Sequence, residues 1–296
     1  MKTFRATPAT DEAFELAEGP VWDPIRQRVY WVDIESAQVL CGELEGDQVH
    51  RNRRLVFDEP TVGAAVPCED GRLLVAGGRR LLVTSEFGAE ESATPVLPGE
   101  RNHRLNDGGC DPAGRFLIGS MSLDDVDGEE LLVRREPGEE PELTVIDDDL
   151  TLSNGLAWSP DHHRLYSIDS EPGNVWGRDY DPQSGELGER ELLFTIEDGT
   201  PDGMCADVDG NLWIAIFGAG EVRCFTSGGE HLATVEVGTP HTTSVAFVGR
   251  NLDRLLITTG RAELSTEERE QHPDAGKLFL VDVEVRGTPV ALWSGR

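Results

Sequence analysis

Oxygen-bearing side chains recur at one position of an internal repeat in this 296-residue chain. Six segments share a small residue, an apolar pair, a polar turn and a second apolar run, and they begin at residues 19, 63, 108, 155, 203 and 244. The residue directly before each start is, in chain order, Glu18, Val62, Asp107, Asn154, Asp202 and Thr243. Four of these six side chains carry a carboxylate or amide oxygen, the ligand types that hard divalent cations prefer.

A turn role is the simpler explanation for any one of these residues taken alone. Asparagine and aspartate before a glycine are common turn residues. Glu18, however, is a poor turn residue, and Val62 shows that the repeat does not require polarity at this position. The recurrence therefore favours a site at which oxygens from distant parts of the chain meet.

The expected donor set indicates the class of metal without identifying the ion. Two or three oxygen ligands, one of them a neutral amide, suit Ca²⁺, Mg²⁺ or Mn²⁺, and Zn²⁺ or Fe²⁺ could occupy the same site. Three protein ligands leave open positions for water, which is typical of catalytic and substrate-binding sites. We therefore expect one bound divalent metal ion.

The spacing of the repeat predicts the fold that positions these residues. The copies start 41 to 48 residues apart, close to the length of a four-stranded propeller blade, about 40–50 residues. Each copy predicts a β-hairpin, and further strand candidates lie between the copies. The one helix-like stretch, AELSTEEREQHP, is short, charged and expected at the surface. We expect an all-β, six-bladed β-propeller, with residues 1–296 forming a single domain.

Ring closure is what would bring the repeat positions together. In a propeller the first strand of each blade lines the central channel, so the starting ends of these strands meet at one mouth. The final runs GKLFLVDVEV and TPVALW, together with the segment before the first repeat, are expected to complete the last blade. Such closure removes unpaired sheet edges.

Charge and composition restrict the partners. The chain has 56 acidic and 26 basic residues, so its net charge of -30 disfavours nucleic acid and anionic membranes as partners. No apolar run is close to the length that a membrane span needs, about 18 residues. The five cysteines lack any C-x-x-C spacing and are expected to be reduced and buried. We expect a cytoplasmic protein, a monomer or small homo-oligomer, acting on a small molecule.

Four segments resemble the signatures of a known family: EGPVWDP with YWVDI, RLNDGGCDPAGRFLIGSM, LSNGLAWSPD with LYSIDS, and PDGMCADVDGNLWIA. The sequence is similar, over almost its whole length, to the senescence marker protein-30, gluconolactonase and regucalcin family. The resemblance implies a six-bladed propeller, one divalent metal held by a Glu, an Asn and an Asp, and hydrolysis of aldonolactones. Carried over by motif, the ligands are Glu18, Asn154 and Asp202, which also occupy the repeat position.

The same resemblance implies contacts with a sugar lactone. The family's substrate-binding arginine and asparagine fall on Arg104 and Asn106. A further acidic contact, after the segment GSM, falls on Asp124, with Asp125 adjacent. The acidic, turn-rich insertion between Asp124 and Glu142 could form a lid.

The sequence favours a metal-dependent rather than a covalent mechanism. There is no G-x-S-x-G motif, and no serine has a histidine partner indicated by the sequence. A metal at the channel mouth would polarise the lactone carbonyl and lower the pKa of a nearby water from about 15.7 towards neutrality. Asp202 is expected to accept the water's proton as well as to bind the metal, while Arg104 and Asn106 orient ring hydroxyls. His103 and His241 are alternative acid–base residues or ordinary polar lining.

Three functions fit these observations. The first is a metal-dependent lactonase that opens a sugar lactone such as gluconolactone or a pentonolactone. The second is an organophosphate or ester hydrolase that uses the same metal chemistry on the same scaffold. The third is a non-catalytic propeller that binds a metal or a protein. Arg104, Asn106 and Asp124 indicate a hydroxyl-rich ligand and favour the lactonase.

Overall fold

The computed structural model describes residues 1–99, 101–124, 128–138 and 141–295. Nearly every element in these ranges is a β-strand, because short apolar runs alternate with turns rich in Gly, Asp and Pro. The strands are β1 (Lys2–Arg5), β2 (Thr7–Pro8), β3 (Ala17–Asp23), β4 (Arg28–Asp33), β5 (Gln38–Glu45), β6 (Gln48–Val56), β7 (Val62–Pro67), β8 (Leu73–Gly77), β9 (Arg80–Thr84), β10 (Glu90–Pro95), β11 (His103–Cys110), β12 (Phe116–Ser122), β13 (Glu130–Arg135), β14 (Leu143–Leu150), β15 (Ser153–Trp158), β16 (Arg164–Asp169), β17 (Asn174–Asp179), β18 (Glu191–Thr195), β19 (Thr200–Ala206), β20 (Leu212–Phe217), β21 (Glu221–Phe225), β22 (His231–Glu236), β23 (Thr242–Val248), β24 (Arg254–Thr259) and β25 (Phe279–Val281).

These strands form six sheets, which are the blades of the propeller. Blades one to four are β3–β6, β7–β10, β11–β14 and β15–β18, each antiparallel and each in chain order from the channel outwards. Blade five is β19–β22 with β1 added parallel to β22, and blade six is β23, β24, β25 and β2. The expected all-β, six-bladed β-propeller is confirmed.

The two ends of the chain close the ring, although one part of the expectation was wrong. Strand β2 pairs with β25 through Thr7 and Leu280, so the N-terminal segment does complete the last blade. The run TPVALW does not, because β2 already occupies the outer edge of β25. Instead, the Thr288 amide donates to the Ala206 carbonyl (3.1 Å) and the Trp293 amide to the Pro67 carbonyl (3.0 Å). The C-terminal segment thus connects the far ends of the innermost strands of blades five and two.

Apolar side chains fill the interfaces between neighbouring blades. In the described parts of the chain, each of the six interfaces has its own cluster of buried residues. Between blades six and one, for example, fully buried Trp31 and Val29 pack in one cluster with Leu256 and Leu280. Such burial contributes about 25 cal/mol per Å² of apolar surface and fixes the blades relative to one another.

The innermost strands form a closed ring around the channel. Each of β3, β7, β11, β15, β19 and β23 contacts the innermost strand on both sides. Each also carries a β-bulge that adds one residue at the repeat position, with the register shifts falling at Glu18/Val21, Val62/Ala64, Leu105/Gly108, Asn154/Leu156, Pro201/Met204 and Thr242/Ser244. A bulge bends the strand and re-aims its side chains. The repeat position is therefore a structural feature of every blade.

Close approach of these strands explains the glycine after Asn154. A Cβ atom at Gly155 would lie 2.7 Å from the Asp202 carbonyl oxygen of the next blade, and the φ of Gly155 is +25°. Only glycine combines this backbone conformation with that distance. The glycine thus lets Asn154 and Asp202 sit on strands in close contact.

The remaining expectations concern the surface helix, the acidic insertion, the cysteines and membrane-spanning segments. Helix α1 (Thr266–Gln271) begins at a Ser265–Glu268 capping box and buries no residue, as AELSTEEREQHP predicted. Residues 130–135 of the insertion between Asp124 and Glu142 form the ordinary blade strand β13, while Asp125 lies outside the described residues. All five cysteines are buried and unpaired. In the described ranges, no helix is long and apolar enough to span a bilayer.

Candidate functional site

The bulges place Glu18, Asn154 and Asp202 at one mouth of the channel. Glu18 is 7% exposed, and its Oε2 accepts the backbone N–H of Gly19 at 2.6 Å. Asn154 is buried on β15, and Asp202 is half-buried on β19. The ring closure therefore brings together three residues from blades one, four and five.

The carboxyl groups at this mouth act on one another electrostatically. Burial raises the pKa of Glu18 well above its ordinary value, and the negative charges of Asp202 and Asp107 raise it further. Burial likewise raises the pKa of Asp202 well above its usual range, with Asp107 adding to the effect. Burial raises the pKa of Asp107 to about 6, against the opposing N–H groups of Gly108 and Gly155. Asp107, the fourth oxygen-bearing repeat position, is thus part of the same cluster.

This acidic cluster has a deficit of positive charge. Within the described residues, Glu18, Asp107 and Asp202 form no ion pair with a basic side chain. Arg104 lowers the pKa values of Glu18 and Asp202, and among the described residues it is the basic residue that opposes the effect of burial at both. Buried like charges disfavour ionisation unless a cation compensates them. The donor set therefore fits a divalent cation.

The predicted ligand set mixes residue types. Among residues 1–99, 101–124, 128–138 and 141–295, no three His, Cys, Asp or Glu side chains converge as a metal site on their own. The predicted set has only two residues of these types, Glu18 and Asp202, and an amide as the third. Carboxylate and carbonyl-type oxygens are the ligands of hard cations.

A chain of buried amides joins the substrate and metal candidates. Arg104 Nη1 donates to Asn106 Oδ1 at 2.6 Å, and Asn106 Nδ2 donates to Asn154 Oδ1 at 2.9 Å. Asn154 Nδ2 in turn donates to Ser170 Oγ at 2.9 Å. The structure thus brings Arg104, Asn106 and Asn154 into one hydrogen-bonded group. Burial lowers the pKa of Arg104, whereas the charges of Glu35, Glu18 and Asp202 oppose this effect.

Asp124 lies apart from this group. It follows β12, whose last residue Ser122 pairs with His103 at the start of β11, so it is at the mouth side of blade three. Its side chain is exposed, and its Oδ1 accepts from Asn102 Nδ2 at 2.8 Å. The structure brings Asp124 to the rim and not into contact with Arg104.

The two histidines occupy different environments. His103 is buried in blade three, with Nδ1 at 3.7 Å from Glu130 Oε1. His241 stacks on Phe217 with ring centroids 4.3 Å apart, and burial lowers its pKa. Glu263 raises the pKa of His241, and it also acts on Asp202. His241 and Asp202 are thus both influenced by Glu263.

Glu35 and Glu263 are mouth residues that the sequence patterns did not select. Both are exposed. The charge of Glu35 raises the pKa of Arg104, and that of Glu263 raises the pKa of Asp202. Neither occupies a repeat position or a signature segment. Their proximity to the site depends on the loops after β4 and β24, for which the sequence carries no signal.

Below the carboxyl groups the channel continues as a cavity of about 290 Å³. Its wall is mainly apolar, with Leu156, Met204 and Phe247 among the lining residues, and Asp107 lies in the wall as well. Thr288 and Val290 of the C-terminal segment line the opposite end. The Asp107 carboxyl group thus borders a mainly apolar cavity.

The fold and the site together define a class: six-bladed β-propellers with an acidic, amide-containing ligand site at one mouth of the channel. The chain belongs to the SMP-30/Gluconolactonase/LRE-like family, which it matches over residues 16–261. The predicted family relationship is confirmed.

Individual relatives are similar along nearly the full chain. Regucalcin of Danio rerio is 33% identical over 304 aligned residues, covering 100% of both proteins. The crystal structure of regucalcin from Agrobacterium tumefaciens, a calcium-binding protein, has a TM-score of 0.89 at 24% identity and 99% coverage of both chains. A gluconolactonase from Xanthomonas campestris has a TM-score of 0.70 at 22% identity, with 94% of this chain and 89% of that one covered. The last two similarities establish the fold alone.

Proposed function

We propose that this protein is a metal-dependent lactonase that hydrolyses a neutral sugar lactone, such as gluconolactone or a pentonolactone, to the aldonic acid. The observation that carries this proposal is the group of carboxyls of Glu18, Asp107 and Asp202, which act on one another electrostatically beside Asn154 and Arg104 at one mouth of the channel. The family includes gluconolactonases and regucalcins, which supports lactone hydrolysis as the reaction.

The residues proposed to hold the metal are Glu18, Asn154 and Asp202. When bound, a divalent cation polarises the substrate carbonyl and lowers the pKa of a nearby water. The compensation of charge supports this assignment, because two buried carboxylates and an amide oxygen match a doubly positive ion. Calcium binding by the Agrobacterium relative is consistent with the same ligand type.

Asp202 is proposed to accept the proton of the attacking water. Its carboxylate is half-buried at the mouth, where it can reach solvent and substrate, whereas Glu18 is more deeply buried and already accepts the Gly19 N–H. Proton transfer to a positioned carboxylate contributes about 10²–10⁴-fold to a reaction rate. Asp202 is thus the better placed base.

Arg104 and Asn106 are proposed to orient the sugar. Arg104 uses Nη1 for the Leu105 carbonyl (3.1 Å) and for Asn106 Oδ1. In the described part of the protein its Nε and Nη2 have no hydrogen-bond partner and are not enclosed, so they can donate to ring oxygens. Asp124 at the rim is proposed to accept from a substrate hydroxyl further out.

The experiment that tests this function is lactone hydrolysis before and after metal removal. Acid release from gluconolactone, a pentonolactone and an aryl ester is followed with a pH indicator on chelated protein and after addition of Ca²⁺, Mn²⁺ or Zn²⁺. We expect lactone hydrolysis that disappears on chelation and returns with at least one ion. Faster turnover of the ester would instead support the esterase alternative, and hydrolysis of none of them would leave a binding propeller.

A further inference from the structure

The backbone carbonyl directly before each proposed metal ligand accepts a hydrogen bond from a buried side chain of the preceding blade. The three bonds, donor first, are Thr243 Oγ1 to Ala17 O (2.6 Å), Asn106 Nδ2 to Ser153 O (3.0 Å) and Ser170 Oγ to Pro201 O (2.6 Å). Glu18, Asn154 and Asp202 follow these carbonyls directly. The same contact is therefore made at each of the three positions by a different donor.

The geometry of the innermost strands explains why such donors are needed. An innermost strand has a ladder partner on one side only, so buried carbonyls on its other edge need a hydrogen-bond donor from outside the sheet. A buried carbonyl without a hydrogen-bond partner destabilises the folded state. A side chain from the adjacent blade satisfies it and at the same time fixes the distance between the two strands.

Ser170 is tied to two of the proposed ligands at once. It is 2% exposed and follows Asp169 at the end of β16. Its Oγ accepts from Asn154 Nδ2 at 2.9 Å and donates to the carbonyl before Asp202. Because the amide nitrogen of Asn154 is held by Ser170, the amide oxygen is turned to the other side, where Asn106 Nδ2 donates to it.

Thr243 is the corresponding residue beside Glu18. It is fully buried, and its Oγ1 lies 2.8 Å from Thr258 Oγ1 as well as donating to the carbonyl before Glu18. Thr258 Oγ1 itself accepts the backbone N–H of Ser244 at 3.0 Å. The direction of the Thr243 hydroxyl is thus set by a connected group of polar atoms.

We propose that Ser170 and Thr243 are positioning residues of the metal site. Thr243 fixes the backbone that presents Glu18, and Ser170 fixes both the backbone that presents Asp202 and the orientation of the Asn154 amide. This inference rests on the proposed function only in requiring a divalent cation at the site, and it is independent of the substrate. Removal of outer partners of this kind typically weakens metal binding about 10–100-fold.

The test measures metal affinity directly on the full-length protein. Chelated wild-type and variant proteins are titrated with Ca²⁺ and Mn²⁺ by isothermal calorimetry, which needs no substrate. The variants are Thr243→Val, which removes the hydroxyl and keeps the shape, and Ser170→Ala. Thr243→Ser, which restores a hydroxyl, tests rescue.

A matched control separates positioning from general stability. Thr84 on β9 of blade two is also fully buried, and its Oγ1 donates to the Ser85 carbonyl at 3.1 Å. Thr84→Val therefore makes the same chemical change in a blade whose repeat position is Val62. We expect about a tenfold or greater loss of affinity in Thr243→Val and Ser170→Ala, recovery to within about twofold in Thr243→Ser, and no more than about a twofold change in Thr84→Val.

The outcomes distinguish this inference from the proposed function. Wild-type affinity in both Thr243→Val and Ser170→Ala, or an equal loss in Thr84→Val, overturns the positioning role. Absence of metal binding by the wild-type protein overturns it too, together with the metal dependence. If the protein hydrolyses no lactone but the variants show the expected changes in metal affinity, the lactonase proposal fails. The positioning role of Ser170 and Thr243 is then still supported. The fitted stoichiometry counts folded molecules, so a partly unfolded variant still reports its affinity.

Discussion

Asn106 and Asn154 are 48 residues apart in the chain, yet Asn106 Nδ2 donates a 2.9 Å hydrogen bond to Asn154 Oδ1. Asn106 also donates to the Ser153 carbonyl and accepts from Arg104. Both amide hydrogens of Asn106 are therefore used within the protein, and its amide oxygen, which has two lone pairs, keeps one acceptor position for a ring hydroxyl. This residue connects the proposed sugar-binding arginine to a proposed metal ligand, so its loss is expected to affect both functions.

Replacement of Asn106 by alanine tests that connection. We expect Asn106→Ala to weaken metal binding about tenfold and to lower kcat/KM more than that, because Asn154 and Arg104 both lose a partner. Asn174→Ala is the control, since the Asn174 amide accepts only from Thr195 between β17 and β18. Calorimetry and lactone kinetics on the two variants check the prediction. Metal affinity that is unchanged in Asn106→Ala would contradict it.

Replacement of Asp202 by asparagine should separate catalysis from stability. We expect Asp202→Asn to lose at least about 10²-fold in kcat. In the metal-free state the same variant should unfold at a higher temperature than wild type, because one charge of a buried, mutually repelling group is removed. Thermal unfolding of chelated protein and metal-loaded kinetics measure the two effects.

Asp207 provides the opposite control. It is buried and accepts the N–H groups of Asp209 and Asn211 and Nε1 of Trp213 at the far end of blade five. Asp207→Asn should lower the free energy of unfolding by about 1–3 kcal/mol, since hydrogen bonds to a charged acceptor are weakened. Its kcat should stay near wild type. The prediction would be contradicted if Asp207→Asn were as stable and active as wild type while Asp202→Asn were less stable than wild type.

How far the sequence predicts the structure depends on whether a feature recurs in every blade. The sequence selects Glu18, Asn154 and Asp202 because they share one repeat position, and in the structure a bulge lies at this position of each innermost strand. The six-bladed fold followed from the same repetition. Ser170 was missed, because its contacts with Asn154 and Pro201 are set by the distance between two blades.

The C-terminal run shows a different limit of sequence reasoning. TPVALW has the composition of a strand, but the edge of β25 that it would join is occupied by β2 from the other end of the chain. Competition between two distant segments for one edge is not encoded in either segment alone. The outcome became clear only from the pairing of Thr7 with Leu280.

Metal-free protein should become more stable as the pH is lowered towards 5. Burial raises the pKa of Asp107 to about 6 and raises those of Glu18 and Asp202 as well, so the folded state holds these protons more tightly than the unfolded chain. For a raised carboxyl pKa, the free energy of unfolding falls as the pH rises from about 4 through the folded value. Each such group contributes a slope of up to about 1.4 kcal/mol per pH unit.

Denaturant unfolding of chelated protein at pH 5, 6 and 7 checks this slope. Asp107→Asn keeps an oxygen that can accept from Gly108 and lacks the titrating group, so its slope should be shallower than that of wild type. The net charge of the rest of the chain changes equally in both proteins and cancels in the comparison. Identical slopes in the two proteins contradict the prediction.

Added salt should raise the unfolding temperature of the whole protein. A net charge of -30 produces self-repulsion in the folded state. Salt weakens this repulsion, because the Debye screening length is about 10 Å at 0.1 M ionic strength. Many ion pairs, such as Lys2–Glu284, are at the surface and are worth only about 0–1 kcal/mol each, so their screening is the smaller effect. Thermal unfolding in 0.05 and 0.5 M potassium chloride measures the sign. A fall in unfolding temperature would show that the ion pairs dominate.

The acidic mouth should select neutral lactones over anionic ones. Glu35 and Glu263 are exposed beside Arg104 and Asp202, so a substrate with a free carboxylate approaches several negative charges. We expect kcat/KM to favour gluconolactone over the similarly sized glucarolactone, with the ratio falling in 0.5 M salt because screening shortens the range of the field. Glu263→Gln should reduce the ratio by about two- to fivefold, as one charge near the site is lost.

Glu45→Gln, at the end of β5 on the outer part of blade one, is the matched control and should leave the ratio unchanged. Steady-state kinetics with both lactones at two salt concentrations, on wild type and the two variants, give the six ratios that the comparison needs. If Glu45→Gln lowers the selectivity ratio as much as Glu263→Gln does, the net charge of the whole protein causes the selectivity, and not a charge near the site. A ratio independent of both salt and Glu263 would instead assign the selectivity to shape, because a contact made by the sugar ring does not depend on a screened field.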